Sequence, residues 1–335
     1  MERQIPIKRP FNRHSTSERS LQKGRQMIIT CEKCNARYDL DVSSIKKTTF
    51  KVRCAQCNHG FKVNKPVEAE TDILLQPVDR AQHDHLVISI SNQKGGVAKT
   101  STCMNLGLSL AELGKNVLLV DFDVQANLTT SLDLSSNLPS FFDILNSGVE
   151  NIGNYIIETA IPNLAVLPSN SRMALLAKHY MHTPNFEFML RDSLKWLENR
   201  FDYILIDTPP AIGYCTLNAL MASDHVIVPT PCEYLSMHGI HKIEEIIQIV
   251  KRRTRSNIDY TILVTMFDSR SVATRVIFKR IQDIFKDKVF KTVIELDERM
   301  KESQILHQPV YIYNPESRSA KQYMDLAQEF LDRTS

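Results

Sequence analysis

The stretch that most constrains this chain is an apolar run, Leu86-Val87-Ile88-Ser89-Ile90, which leads into Ser91-Asn92-Gln93-Lys94-Gly95-Gly96-Val97-Ala98-Lys99-Thr100-Ser101 and then a helical pattern from 100 to about 113. A buried strand feeding a Gly-bearing loop and a helix start gathers backbone N–H groups on one anion, the arrangement that cradles nucleotide phosphates. Of the 10 glycines in 335 residues, two adjoin here, where backbone must approach a phosphate without a Cβ in the way. Lys94, Gly95, Gly96, Val97, Ala98, Lys99, Thr100 and Ser101 are therefore the candidate phosphate-binding set. The stretch departs from the pattern G-x-x-x-x-G-K-[ST], because Gln93 and Ala98 stand at its two glycine positions.

Beyond this loop, short runs alternate with helical patterns: Val117-Leu118-Leu119-Val120, Leu164-Ala165-Val166-Leu167, Tyr203-Ile204-Leu205-Ile206, Val226-Ile227-Val228 and Thr261-Ile262-Leu263-Val264. Continuous Val/Ile/Leu runs separated by helices predict an α/β fold with a doubly wound, mostly parallel sheet buried on both faces. Ligands of such sheets sit at the carboxyl ends of the strands. Two runs end there in acids, Asp121-Phe122-Asp123-Val124-Gln125-Ala126-Asn127 and Asp207-Thr208-Pro209-Pro210. Such acids either hold Mg²⁺ through water and orient an attacking water, or simply cap the helix that follows.

Lys94-Gly95-Gly96-Val97-Ala98-Lys99-Thr100 resembles the deviant Walker A motif, K-G-G-x-x-K-T, of the ParA and MinD superfamily of P-loop ATPases. The Asp121 segment resembles the family's D-x-D-P-Q-x-N, with Val124 at the proline, and the Asp207 segment its I-D-T-P-P. Leu217-Asn218-Ala219-Leu220, Val228-Pro229-Thr230-Pro231-Cys232-Glu233-Tyr234, Thr265-Met266-Phe267-Asp268-Ser269-Arg270 and Ile312-Tyr313-Asn314-Pro315-Glu316-Ser317-Arg318 favour the ParA branch, and the resemblance spans 85 to 333. It implies a slow ATPase whose ATP-bound homodimer binds DNA non-specifically in chromosome or plasmid partitioning, with a ParB-like partner stimulating hydrolysis. On matching positions it makes Lys99 the β- and γ-phosphate ligand, Thr100 a Mg²⁺ ligand and Asp207 the holder of the metal's water shell. It gives Lys94 a reach across the dimer to the ATP of the second copy, and Asp123 the polarising of the hydrolytic water.

A second strong signal lies upstream, in Cys31-Glu32-Lys33-Cys34 and Cys54-Ala55-Gln56-Cys57. Two C-x-x-C pairs at this spacing predict a Zn²⁺ site of Cys31, Cys34, Cys54 and Cys57, closed by four thiolates and so structural. An internal repeat supports it, since Cys31-x-x-Cys34-Asn35-x-x-Tyr38 matches Cys54-x-x-Cys57-Asn58-x-x-Phe61, with Ile29 and Val52 before the knuckles. The segment looks like a small bacterial zinc-ribbon family that opens M-I-x-C-x-x-C. Lys46, Lys47, Lys51, Arg53 and Lys62 either face nucleic acid or form an ordinary solvated face. Cys103, Cys215 and Cys232 stand alone, which suits a reducing compartment.

The expected organisation is a disordered basic arm at 1–26, the ribbon at 27–64, a polar linker at 65–84 and the ATPase domain at 85–335. The arm carries Arg3, Lys8, Arg9, Arg13, Arg19, Lys23 and Arg25 against Glu2 and Glu18, and reads equally as a nucleic-acid-touching tail or a solvated leader; Met27 also stands where a natural start would. A formal charge of +3 means that any DNA surface must come from local clustering. The clusters are Lys251, Arg252, Arg253 and Arg255, and Arg275, Lys279 and Arg280, with Lys286 near the same helix face. No apolar run approaches a membrane span, so a cytoplasmic, nucleoid-associated protein without membrane attachment is expected. Two rival functions stay open: a ParA-like ATPase positioning a protein cargo, and a DNA-binding regulator for which nucleotide is only a conformational ligand.

Overall fold

Alternation of buried and exposed positions builds the smaller of two units. The computed structural model describes residues 5–6, 26–41, 49–64, 85–135, 137–233 and 236–334, and the chain divides into compact units at Met1–Leu75 and Gln76–Ser335. In the first unit β1 (Ile5–Pro6) runs parallel to β4 (Thr49–Arg53), β2 (Gln26–Thr30) pairs antiparallel with β3 (Arg37–Asp41), and β4 pairs antiparallel with β5 (Gly60–Asn64). The remainder of the expected basic arm, and the expected linker, lie outside the described residues.

Each hairpin turns at a cysteine knuckle. Cys31 N–H donates to Ala36 O at 2.9 Å and Asn35 N–H to Cys31 O at 3.0 Å; the second copy repeats this with Cys54 to His59 at 2.8 Å and Asn58 to Cys54 at 3.0 Å. Asn35 and Asn58 take φ of 56° and 57°, the left-handed turn that asparagine tolerates. Ile29, Tyr38, Phe50, Val52, Phe61 and Val63 fill the interior with the cysteines. So few side chains make too small a core to hold a fold without a metal or an equivalent staple.

The second unit holds an eight-stranded sheet: β6 (Leu86–Ile90), β7 (Val117–Asp121), β8 (Ile157–Glu158), β9 (Leu164–Leu167), β10 (Tyr203–Asp207), β11 (His225–Pro231), β12 (Asp259–Phe267) and β13 (Val289–Glu295). Their order is β13-β12-β11-β6-β10-β7-β9-β8, and every neighbouring pair is parallel except β8 with β9. The order reverses at β6, so the loop after it opens where ligands bind in this architecture. Cα register sets Asp207 beside both Ile90 and Asp121, gathering three strand ends at one point.

Helix Lys99–Glu112 packs Met104, Leu106 and Leu110 on one face of the sheet, with Tyr323, Leu326 and Phe330 of helix Arg318–Thr334 beside them. Phe122, Phe141, Leu190 and Leu194 cover the other face. Helix Arg318–Thr334 buries Ser319, Ala320, Tyr323, Leu326, Ala327 and Phe330, and no helix among the described residues is long and apolar enough to cross a membrane. Strand β13, an edge strand, was not legible as a continuous apolar run because Lys291 and Thr292 interrupt it. Lys286 corrects one expectation: it lies beyond helix Val272–Phe285 at φ 47° and does not extend that helix's face.

Gly107 faces the sheet from helix Lys99–Glu112, where an added Cβ would overlap Leu119 Cδ2 and stand 3.6 Å from Val117 Cγ1. Overpacking costs about 1–3 kcal/mol and the helix-propensity gain of alanine returns at most about 1 kcal/mol. Gly107→Ala is therefore expected to unfold at lower urea concentration than the native chain; an equal or higher midpoint would contradict this packing.

Candidate functional site

Backbone strain shapes the loop between β6 and helix Lys99–Glu112. Gly96 has φ 68°, and so does Ala98, which caps the helix in the left-handed region. Alanine keeps the conformation that glycine would supply, at a cost of about 1 kcal/mol. Asn92 braces the loop from below, donating from Nδ2 to Pro229 O at 2.8 Å and accepting from Lys94 N–H at 3.0 Å. Gly95, Lys99, Thr100, Asp123, Gln125, Asn127, Met266 and Gln304 are among the residues lining a cavity of about 620 Å³ over the helix start.

Lys99 is 8% exposed and folds its Nζ back onto Lys94 O at 3.0 Å, so the ammonium lies over the loop. Burial pulls its pKa down, while Asp207 and Asp123 pull it up. Thr100 Oγ1 donates to Asp207 Oδ2 at 2.7 Å. Asp207 is fully buried, and burial followed by the nearby Asp121 charge raises its pKa well above the carboxylate range, against the Thr100 bond. Its other oxygen, Oδ1, is buried without a hydrogen-bond partner. An orphaned carboxylate oxygen beside a threonine hydroxyl, at a desolvated acidic cluster, is what a hydrated hard cation would satisfy, so Thr100 and Asp207 fit Mg²⁺.

A closed network holds Asp123, and sequence reasoning missed most of it. Asp121 Oδ2 accepts from Thr129 N–H at 2.8 Å and from Thr129 Oγ1 at 2.6 Å, while Asp121 Oδ1 accepts from Asp123 N–H at 3.2 Å. Ser169 completes the ring, with its N–H on Thr129 Oγ1 at 2.9 Å and its Oγ donating to Asp123 O at 2.6 Å. Burial pushes the Asp121 carboxyl up to about 6, against the Thr129 bonds. The available signal was modest: a serine two residues past the carboxyl end of β9.

Lys94 points elsewhere than the phosphate cavity. Its ammonium pairs with Glu233 of the same chain, and its side chain is 41% exposed. On helix Val272–Phe285, Arg275, Lys279 and Arg280 are all exposed, and Arg275 Nη1 donates to Ser269 O. Arg253 corrects the other basic cluster: it is buried and bound to Glu187 at 2.8 Å, so it faces the core and not a polyanion.

In the first unit the sulfurs of Cys31, Cys34, Cys54 and Cys57 lie within 4.8 Å of one another, with Cys31 to Cys57 at 3.6 Å and Cys34 to Cys54 at 3.5 Å. A ZnS₄ tetrahedron with bonds of about 2.3 Å has edges of about 3.8 Å, so the four residues fit zinc. Tyr38 Oη contacts Cys54 Sγ at 3.0 Å and accepts from Gln56 N–H at 3.1 Å, tying the ligand set to the hairpin core. Cys103, Cys215 and Cys232 are free thiols.

Comparison with known proteins finds a family model in each of the two units. Residues 85–260 match a family model described as an AAA domain, and residues 27–62 one described as a zinc-ribbon domain. The chain is similar to the sporulation initiation inhibitor protein Soj of Bacillus subtilis, 37% identical over 246 residues that cover 72% of this chain and 97% of that protein. It is also similar to the chromosome partitioning protein ParA of Myxococcus xanthus, 34% identical over 74% of this chain and 88% of the relative. Among solved structures, one titled cobyrinic acid a,c-diamide synthase from Mycobacterium smegmatis, with bound ADP and magnesium, superposes with a TM-score of 0.64 at 31% identity. That match covers 74% of this chain and 94% of the other.

Two outcomes test these sites. A raised native pKa makes Asp207 stabilising when protonated and costly when ionised, so its contribution is lost as pH rises above the ordinary value of 3.8 and through the raised one. Asp207→Asn, which keeps an acceptor for Thr100, should be more stable than the nucleotide-free native chain at pH 8 and lose that advantage toward pH 4, as followed by urea denaturation; a pH-independent difference would contradict the burial argument. The purified chain should carry one zinc per molecule by elemental mass spectrometry, and Cys54→Ser should lose it together with hairpin protection from proteolysis. Retention of full zinc by that variant would show that the four-sulfur cage is not the metal site.

Proposed function

The chain belongs to the ParA/Soj family of partitioning ATPases, and on that footing we propose that it is an ATP-dependent dimerisation switch that hydrolyses ATP slowly and binds DNA without sequence specificity in its ATP state. The observation that carries this reading is the meeting of Lys99, Thr100 and Asp123 around one cavity at the switch point of the sheet, with buried Asp207 hydrogen-bonded to Thr100 behind it. Lys99 would neutralise the β- and γ-phosphates, and the N–H groups of the loop from Gly95 to Ser101 would cradle them. Thr100 and Asp207 would hold Mg²⁺, which supplies positive charge to the phosphate oxygens. Asp123, held by the Asp121, Thr129 and Ser169 ring, would accept a hydrogen bond from the attacking water and orient it.

Lys94 makes turnover conditional. In one chain it is occupied by Glu233; in the homodimer it would leave that partner for the phosphates bound to the second copy. Phosphoryl transfer is stabilised mainly by positioning and by cations spread over the γ-oxygens, so a cation supplied only on dimerisation keeps a lone chain slow. Exposed Ile212, at 57%, lies two residues from Pro210 on the cavity rim and would be covered by the second copy. Arg275, Lys279 and Arg280, doubled by the dimer, would track DNA phosphates along the nucleoid, and a ParB-like protein would stimulate hydrolysis and release. The cellular role that follows is chromosome or plasmid partitioning.

Asp123→Ala should keep ATP binding and lose hydrolysis by about 100-fold or more, the size expected for removing a water-orienting carboxylate. It should also hold the chain on unrelated duplex DNA with ATP and not with ADP. Adding Arg275→Glu and Lys279→Glu should abolish that retention while ATP binding persists. DNA binding unaffected by the charge reversals would refute the DNA surface, and hydrolysis unaffected by Asp123→Ala would refute the catalytic assignment.

A further inference from the structure

We infer that Ser169 and Thr129 are positioning residues for ATP hydrolysis, acting through Asp123 by fixing its loop to the sheet and so resting on the role proposed for Asp123 above. Asp123 is 6% exposed and lines the cavity over the helix start. Its N–H donates to Asp121 Oδ1 at 3.2 Å, and its Oδ1 accepts from Gln125 N–H at 3.1 Å. Its carbonyl accepts twice, from Ala126 N–H at 3.0 Å and from Ser169 Oγ at 2.6 Å. Among the described residues no hydrogen bond reaches Asp123 Oδ2, so Oδ2 is the oxygen able to accept from a water.

These bonds are of two kinds. Those within residues 121–126 are local; they close around the left-handed Ala126, at φ 52°, and keep the loop's shape wherever the loop lies. Ser169 stands 46 residues away, just past β9, so its hydroxyl governs where the loop lies and not how it is folded. Thr129, in helix Asn127–Ser131, is the second tie: its Oγ1 donates to Asp121 Oδ2 at 2.6 Å and accepts from Ser169 N–H at 2.9 Å. The anchor is braced from behind, because Asn170 Nδ2 donates to Leu138 O at 2.7 Å and Asn170 Oδ1 accepts from Ser140 Oγ at 3.2 Å.

Packing alone does not call for these two side chains. Ser169 and Thr129 are fully buried, and a buried hydroxyl is costly unless hydrogen-bonded, so alanine and valine would fill the same space without that demand. What the hydroxyls add is a fixed distance between the Asp123 peptide and the strand frame that carries the rest of the site. A misplacement of about 1 Å can cost on the order of a hundredfold in rate, so such a tie acts on turnover even where it adds little to binding.

The test uses the full chain with ATP and Mg²⁺. Ser169→Ala should lower kcat by about 10- to 100-fold and leave KM within about twofold. Thr129→Val, which keeps the shape and loses the oxygen, should behave likewise, whereas Thr129→Ser, which keeps the oxygen and gives up a methyl, should hold kcat within about threefold. In the Asp123→Ala chain, Ser169→Ala should lower the residual rate no further, because a residue that acts through Asp123 has nothing left to act on. Without nucleotide, Ser169→Ala should speed amide exchange in peptides covering 121–131 by about tenfold and leave β6 and β10 unchanged. Native turnover or native exchange in Ser169→Ala, equal losses in the two Thr129 variants, or a full further loss in the Asp123→Ala chain overturns the inference and leaves the functional reading standing. Full turnover in Asp123→Ala itself overturns both.

Discussion

Desolvated charge at the ends of β7 and β10 is the constraint on which the rest of the ATPase unit turns. Asp121, Asp123 and Asp207 are all nearly or fully buried, with the Lys99 ammonium among them. Parallel pairing in register forces Asp121 and Asp207 side by side, and burial then raises both their pKa values. Such a cluster is costly by itself. It would become favourable if a polyphosphate brought a divalent cation to the orphaned Asp207 oxygen, which would couple nucleotide occupancy and local stability through one set of atoms.

Positioning follows from the same cluster. Asp121 is used up in hydrogen bonds to Thr129 and to the Asp123 N–H, and so serves Asp123 rather than a ligand. Ser169, from beyond a third strand, fixes the carbonyl of Asp123. The backbone of Asp123, the proposed water-orienting residue, is thus held from β7, the Thr129 helix and the loop after β9, while the Lys94 ammonium rests in an exposed pair with Glu233. A surface pair of that kind contributes roughly 0–1 kcal/mol, so Lys94 is easily recruited elsewhere. A fixed carboxylate-bearing segment and a movable cation are what the proposed conditional ATPase would require.

Much of this was legible in the sequence because the site is built from strand ends. Continuous apolar runs marked β6, β7, β9, β10 and β11, and the candidate site residues stand at or just past the ends of β6, β7 and β10. The four cysteines and the two asparagines of the ribbon were equally readable, since a repeated knuckle leaves its mark at fixed spacing. Long-range partners were not. Ser169 lies 46 residues from Asp123, and Glu233 lies 139 from Lys94; only the three-dimensional pairing of strands brings them together. Arg253 looked like its neighbours in a basic run, but helical phase turns it inward onto Glu187. Ala98 looked like a broken glycine position, yet the surrounding loop holds it left-handed all the same.

The central claim is that ATP drives association through a surface that includes Lys94. Sedimentation velocity of the Asp123→Ala chain, with ATP and with ADP, tests it most directly, set beside the same chain carrying Lys94→Ala. A sedimenting species of twice the monomer mass with ATP, a monomer with ADP, and a shift back toward monomer when Lys94 is removed are the expected results. One mass in both nucleotides would contradict the account.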